Sequence, residues 1–257
     1  MNRIDKVFQD RNKTKLFPYI PAGYPDMEVT ESLIYDLVCS GADLIELGVP
    51  FSDPIADGSV IQEASYEALL GGVNLDKIFE LVAKVRGAGV SIPIVLMGYF
   101  NSFFRYGLNK TADQAKIVGI DGFIVPDLLP FSTNDKEDFA AILAAKELHQ
   151  IFLASIITEE TRLKQIVEAS SGFLYLISKL GVTGVSNKMD FMPIKLAVER
   201  IKKIKDIPVA IGFGIANKEQ TAILKEYGDA LIVGSAVVKK IKAGDAGIFI
   251  KELKSTM

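Results

Sequence analysis

Short apolar runs alternate with amphipathic helical patterns along this chain, and that alternation limits the fold more than any other feature. Strands are expected at 16–20, 43–47, 92–97, 122–125, 151–154, 172–177, 207–211 and 229–233. Helices are expected at 27–39, 60–70, 75–86, 111–118, 158–169, 192–205 and 218–227, with another running from Ser132 or Thr133 to about Leu148. A short helix starts at Ala236, and 248–254 closes the chain. The runs are continuously apolar, as strands covered on both faces are. Parallel neighbours need a crossover, usually a helix. Eight such units in 257 residues predict one domain over 1–257, an α/β (β/α)8 TIM barrel with an N-terminal helix and extra short helices. No GxGxxG follows the first strand, which disfavours an open dinucleotide-binding sheet.

Composition excludes several classes of function. The net charge of −3 gives no general reason to bind nucleic acid or anionic lipid. A single cysteine rules out an internal disulfide or a thiolate metal cluster. Cys39 lies in an apolar helical stretch and reads as a small core residue. The one histidine, His149, reads as a helix-end or surface residue, and a His-rich metal site is impossible. The N-terminus is charged and lacks the apolar stretch of a signal peptide, and no run of about 18 apolar residues occurs. A cytoplasmic protein is expected.

The stretch 44–64, LIELGVPFSDPIADGSVIQEA, carries the chemistry. Glu46 interrupts an apolar strand, where an unpaired carboxylate costs several kcal/mol or shifts its pKa. Two readings stand side by side: a structural acid paired with Lys or Arg, or a catalytic one. Asp57 follows in the loop after that strand. Barrel enzymes work at the C-terminal ends of their strands. Glu46, Asp57, Tyr99, Asp127 and Tyr175 can all face that mouth. A Glu aimed into an apolar pocket exchanges protons near neutral pH.

Glycines form a second constellation: 181 and 184 after strand six, 212 and 214 after strand seven, and Gly234-Ser235 after strand eight. They are either ordinary turn glycines or a phosphate cradle of backbone N–H groups at the barrel's usual anion site. Occurrence on three consecutive strands favours the cradle and a small organic phosphate. Tyr19, Met97, Tyr99, Phe100, Ile124, Tyr175 and Phe213 would suit a flat apolar group opposite it. For these residues, and for Ile124 in particular, barrel core is the competing reading. Lys202-Lys203 and Lys239-Lys240 read as solvated helix faces.

These pieces together, LIELGVPFSDPIADG at 44–58, Gly-Val-Thr-Gly at 181–184, Gly-Phe-Gly at 212–214 and Gly-Ser at 234–235, resemble the alpha subunit of tryptophan synthase along essentially the whole chain. The resemblance implies retro-aldol cleavage of indole-3-glycerol phosphate to indole and glyceraldehyde 3-phosphate, without metal or organic cofactor. It implies Glu46 as general acid/base and Asp57 as the acid that binds the indole N–H and stabilises ring charge. Gly184, Gly214, Gly234 and Ser235 match phosphate positions. Tyr175 matches an active-site position, Tyr19 and Met97 line the indole pocket, and Thr183 helps order Asp57. It also implies a beta-subunit partner in an α2β2 assembly, touched by Pro50, Asp53 and Pro54, with indole passing between sites. The aromatic stretch 100–106 is a further candidate contact patch. The chain departs from the family pattern at Pro21 and Tyr24, in the proline placement of 126–130, and at Lys179.

Two other readings remain: a phosphate-binding barrel isomerase, and a mainly partner-activating subunit. Isomerases of that kind generally place acid and base on widely separated strands. The intact acids and glycines argue against pure scaffolding.

Overall fold

The computed structural model describes residues 1–130, 138–178, 191–212 and 214–257. Nine strand segments are present among them: β1 (Lys15–Pro21), β2 (Ile45–Gly48), β3 (Ile94–Met97), β4 (Gly122–Ile124), β5 (His149–Ile151), β6 (Leu153–Ser155), β7 (Leu174–Ile177), β8 (Val209–Gly212) and β9 (Ala230–Val233). Their pairings are parallel, in the order β5-β4-β3-β2-β1-β9-β8-β7-β6. The two ends of that order are successive pieces of one extended stretch, broken at Phe152. The Phe152 carbonyl still accepts from the Tyr175 N–H at 3.1 Å. The sheet therefore meets itself, and the expected barrel is present with its fifth strand in two halves.

Period two along each strand sorts the side chains into two layers. Leu16, Ile20, Ile45, Leu47, Ile94, Leu96, Leu174 and Leu176 point outward and pack under the helices. Phe17, Leu44, Val95, Ile124, Ile151, Phe173, Tyr175, Ala210 and Ile232 form the inner cluster. Continuous apolar runs follow from this geometry, because neither face of a strand meets water.

The N-terminal helix Arg3–Val7 plugs the lower end of the barrel. Asn2 caps it, accepting from the Ile4 N–H at 2.9 Å. Phe8 packs its ring 5.9 Å from Phe17 and 6.0 Å from Phe173. Beside it Asp121, 2% exposed, takes Arg3 at 3.0 Å, Arg86 at 2.8 Å and the Ile94 N–H at 2.9 Å. This cluster ties the start of the chain to β3 and β4 at the face where barrel side chains serve stability.

Four details differ from the sequence reading. Cys39 is exposed, not core. It ends the helix Met27–Cys39, whose buried face carries Leu33, Ile34 and Leu37, and two residues beyond Leu37 is nearly the opposite side. Residues 100–106 are a helix, Phe100–Tyr106, with Phe103 buried against Phe123 and Phe139 and Phe104 49% exposed. Its outward apolar patch is thus smaller than the composition suggests. The helix Phe139–Ala145 starts at an Asp138 cap and ends before Glu147, which sits at φ 56. The expected start at Ser132 or Thr133 lies outside the described residues. His149 opens β5 and holds Asp5 at 2.9 Å through Nε2. Among the described residues no helix is long and apolar enough to cross a membrane.

Candidate active site

Strand parity decides where Glu46 points. It shares the inward face of β2 with Leu44, and its neighbour in register on β1 is Tyr19. Glu46 is 1% exposed, and neither carboxyl oxygen has a hydrogen-bond partner among the described residues. The paired structural acid is therefore not what this Glu is. Burial, and secondarily the nearby charge of Asp57, push its pKa up to about 8. A carboxyl in that condition is protonated at neutral pH yet ready to ionise.

Asp57 reaches the same space from the loop between β2 and the helix Ser59–Leu70. The loop is tied down at several points. Ser65 Oγ accepts from the Phe51 N–H at 2.9 Å, and Gln62 Nε2 donates to the Asp57 carbonyl at 3.0 Å. Tyr99, at the end of β3, donates its hydroxyl to Asp57 Oδ2 at 2.9 Å and accepts from the Ala56 N–H at 2.9 Å. Its ring stacks on Phe51 at 5.0 Å. Burial raises the Asp57 pKa, and the Tyr99 hydrogen bond offsets only part of that rise.

A cavity of about 580 Å³ opens in front of both acids. Glu46, Asp57, Tyr19, Met97 and Tyr175 form one part of its wall, and Gly214, Gly234 and Ser235 form another. Gly214 has φ +83, and among the described residues nothing stands within 4 Å of where its Cβ would be. Gly234 precedes the helix Ser235–Ile241, so free N–H groups are presented there. Leu153, Ile177, Ile215 and Ile232 supply the apolar remainder. Two acids, aromatic and aliphatic side chains, and glycine backbone with a helix start thus line one cavity. That fits a flat apolar group carrying a proton-labile chain with an anionic tail.

Of the other residues singled out by sequence, Tyr99 stands behind Asp57 on a smaller recess rather than on the main wall. Ile124 is fully buried in the inner cluster. Asp127 accepts from the Phe100 N–H at 2.9 Å, at the start of that helix. Thr183, Gly184, Phe213 and Lys179 lie outside the described residues. Pro50, Asp53 and Pro54 lie on the loop that carries Asp57, with Asp53 exposed and Ile55 83% exposed beside them.

The sequence reading missed two glycines with a spatial role. A Cβ on Gly48 would lie 2.3 Å from the Tyr19 hydroxyl, and one on Gly212 would lie 2.4 Å from the Tyr175 hydroxyl. Both tyrosines cross the barrel interior because the strand beside each lacks a side chain there. Gly212, grouped with the phosphate glycines by motif, works for Tyr175 instead. Inward parity on β2 and β8 was the available signal for both. It also missed Lys239 and Lys240, which border the cavity.

The family model for the tryptophan synthase alpha chain matches residues 6–255. A tryptophan synthase alpha chain from Petrotoga mobilis is 43% identical over 256 residues, covering 99% of this chain and 96% of that one. The crystal structure of tryptophan synthase subunit alpha from Legionella pneumophila superposes with a TM-score of 0.88 at 34% identity, covering 100% of this chain and 98% of the other. Ligand-free tryptophan synthase from M. tuberculosis gives a TM-score of 0.88 at 33% identity, covering 100% and 99%. With a matching barrel, a matching family model and identity sustained end to end, this chain belongs to the tryptophan synthase alpha chain family.

Proposed function

We propose that Glu46 moves the protons and Asp57 holds the indole ring in the cleavage of indole-3-glycerol phosphate. The chain is a carbon–carbon lyase of tryptophan biosynthesis, releasing indole and glyceraldehyde 3-phosphate. One observation carries the residue assignment. A buried carboxyl with no hydrogen-bond partner among the described residues faces a cavity that glycine backbone and a helix start also line.

The chemistry follows from that arrangement. Cleavage needs a proton placed on indole C3, which turns the ring into an electron sink. It also needs a proton taken from the hydroxyl on the adjacent side-chain carbon, so that a carbonyl forms as the C–C bond breaks. Glu46, protonated at neutral pH, gives the first proton, and its carboxylate takes the second. The proton count is unchanged over the cycle. Asp57 accepts from the indole N–H and stabilises the positive charge that develops on the ring. Its bond from Tyr99 favours the ionised form this role requires. Tyr19, Met97, Tyr175 and Phe213 shape the indole end, Tyr99 and Ile124 pack behind that wall, and Thr183 orders Asp57. Gly184, Gly214, Gly234 and Ser235 take the phosphate on backbone donors.

The family implies a beta-subunit partner. An α2β2 assembly, with Pro50, Asp53 and Pro54 in the contact and indole passed directly to the partner, is the finer form of this proposal. The exposed Ile55 beside these residues supports it. Catalysis in the cytoplasm completes it. The test is to supply the purified chain with indole-3-glycerol phosphate and assay indole, with and without a beta subunit. Indole release is expected, faster with the partner. An isomerised product would favour the sugar-phosphate isomerase reading, and no turnover in either case would leave a partner-activating role.

A further inference from the structure

The charged side chains on the cavity wall are segregated by element. The acids on its wall, Glu46 and Asp57, belong to β2 and the loop after it. Among the described residues lining it, the cations are Lys239 and Lys240, both on the helix Ser235–Ile241 that starts beside Gly234. The two lysines are not equivalent. Lys240 Nζ stands over the Phe249 ring at 5.1 Å, turned toward the C-terminal helix. Lys239 makes no ion pair among the described residues. It lies four positions after Ser235, and residues so spaced share one helix face. Helical side chains also lean toward the N-terminal end of their helix. The Lys239 stem is therefore aimed back over Ser235 and Gly234, along the wall assigned above to the phosphate.

We propose that Lys239 is the charged member of the phosphate subsite and sets the preference for a phosphorylated over an uncharged side chain. This rests on the reading of Gly214, Gly234 and Ser235 as that subsite. Glycine and serine donors orient a phosphate but are formally neutral, while Asp57 places negative charge on the same cavity. A cation beside the cradle offsets that repulsion and draws the dianion to the correct end. Lys239 does not touch the reacting atoms, so its effect falls on binding and not on the chemical step.

The experiment titrates glycerol 3-phosphate by calorimetry into the full chain and its Lys239→Met and Lys239→Arg variants. Lys203→Met, an exposed position on another helix, controls for net charge. Affinity should fall roughly fivefold in Lys239→Met, the scale of one solvent-exposed charge contact. It should return toward wild type in Lys239→Arg and stay unchanged in Lys203→Met. The affinity of Lys239→Met should also respond less steeply to added salt than wild type. Indole, which has no phosphate, should bind all four proteins alike. Equal glycerol 3-phosphate affinity and equal salt response in wild type and Lys239→Met would overturn the proposal. If wild type still released indole from indole-3-glycerol phosphate in that case, the lyase reading would stand and only Lys239 would lose its role.

Discussion

The Tyr99 hydroxyl bridges two consecutive residues of the loop after β2, donating to Asp57 Oδ2 and accepting from the Ala56 N–H, each at 2.9 Å. A side chain at the end of β3 thus fixes where an acid from the neighbouring loop stands. Removing the hydroxyl in Tyr99→Phe frees the loop and deletes a bond that lowers the Asp57 pKa. The Asp57 pKa should then rise, moving the acidic limb of the kcat/KM profile upward. kcat should fall roughly tenfold, about 1.4 kcal/mol of barrier. An unshifted limb would show that Asp57 is held ionised by other contacts.

Glu46→Gln keeps the shape of the side chain and removes its titration. Indole release should be abolished, while affinity for the phosphorylated ligand stays within roughly tenfold. Single-turnover assay alongside ligand titration separates the two. Full activity would refute the proton-transfer assignment.

The same variant has a stability signature. The Glu46 pKa is about 8 in the folded chain against an ordinary 4.5, so the native state holds its proton where the unfolded chain has lost it. Stability therefore declines as pH rises from the unfolded to the folded value, at up to roughly 1.4 kcal/mol per pH unit. Glu46→Gln lacks this loss. Its melting temperature should match wild type near pH 4, exceed it increasingly toward pH 8, and keep a constant advantage above that. A difference independent of pH would mean that Glu46 ionises normally.

At the anion end, Gly234→Asp puts a carboxylate beside the cradle. Among the described residues the atoms nearest an added Cβ are carbons at 3.7–3.8 Å, so the fold should tolerate it. Glycerol 3-phosphate affinity should fall by more than tenfold, with thermal stability nearly unchanged. Calorimetry that finds the affinity intact would place the phosphate elsewhere.

Asp121→Ala tests the opposite face. It leaves Arg86, whose side chain is 10% exposed, with backbone carbonyls but no carboxylate, and removes the carboxylate that accepts from Arg3 and the Ile94 N–H. Loss of one partner of a buried pair costs about 3 kcal/mol. Denaturant unfolding should show that loss, while the folded fraction keeps wild-type kcat. A loss below about 1 kcal/mol would mean that water replaces the carboxylate there.

What the sequence alone determined was the barrel. Eight continuous apolar runs separated by helical patterns leave few other ways to bury both faces of every strand. It also singled out Glu46 and Asp57, since a carboxylate inside an apolar strand has few inexpensive settings. Parity along one strand could not say whether Glu46 had a partner, because the groups facing it come from other strands. Only the closed sheet decided that: it brought Tyr19, Tyr175 and Asp57 around Glu46 without giving either oxygen a hydrogen bond among the described residues. Tertiary packing likewise drew Ile124 into the inner core, set Tyr99 behind Asp57, and turned Gly48 and Gly212 into room for two tyrosines. Local pattern reports which face a residue takes, whereas the chemistry depends on distances between residues far apart in the chain, and those arise only when the ring closes.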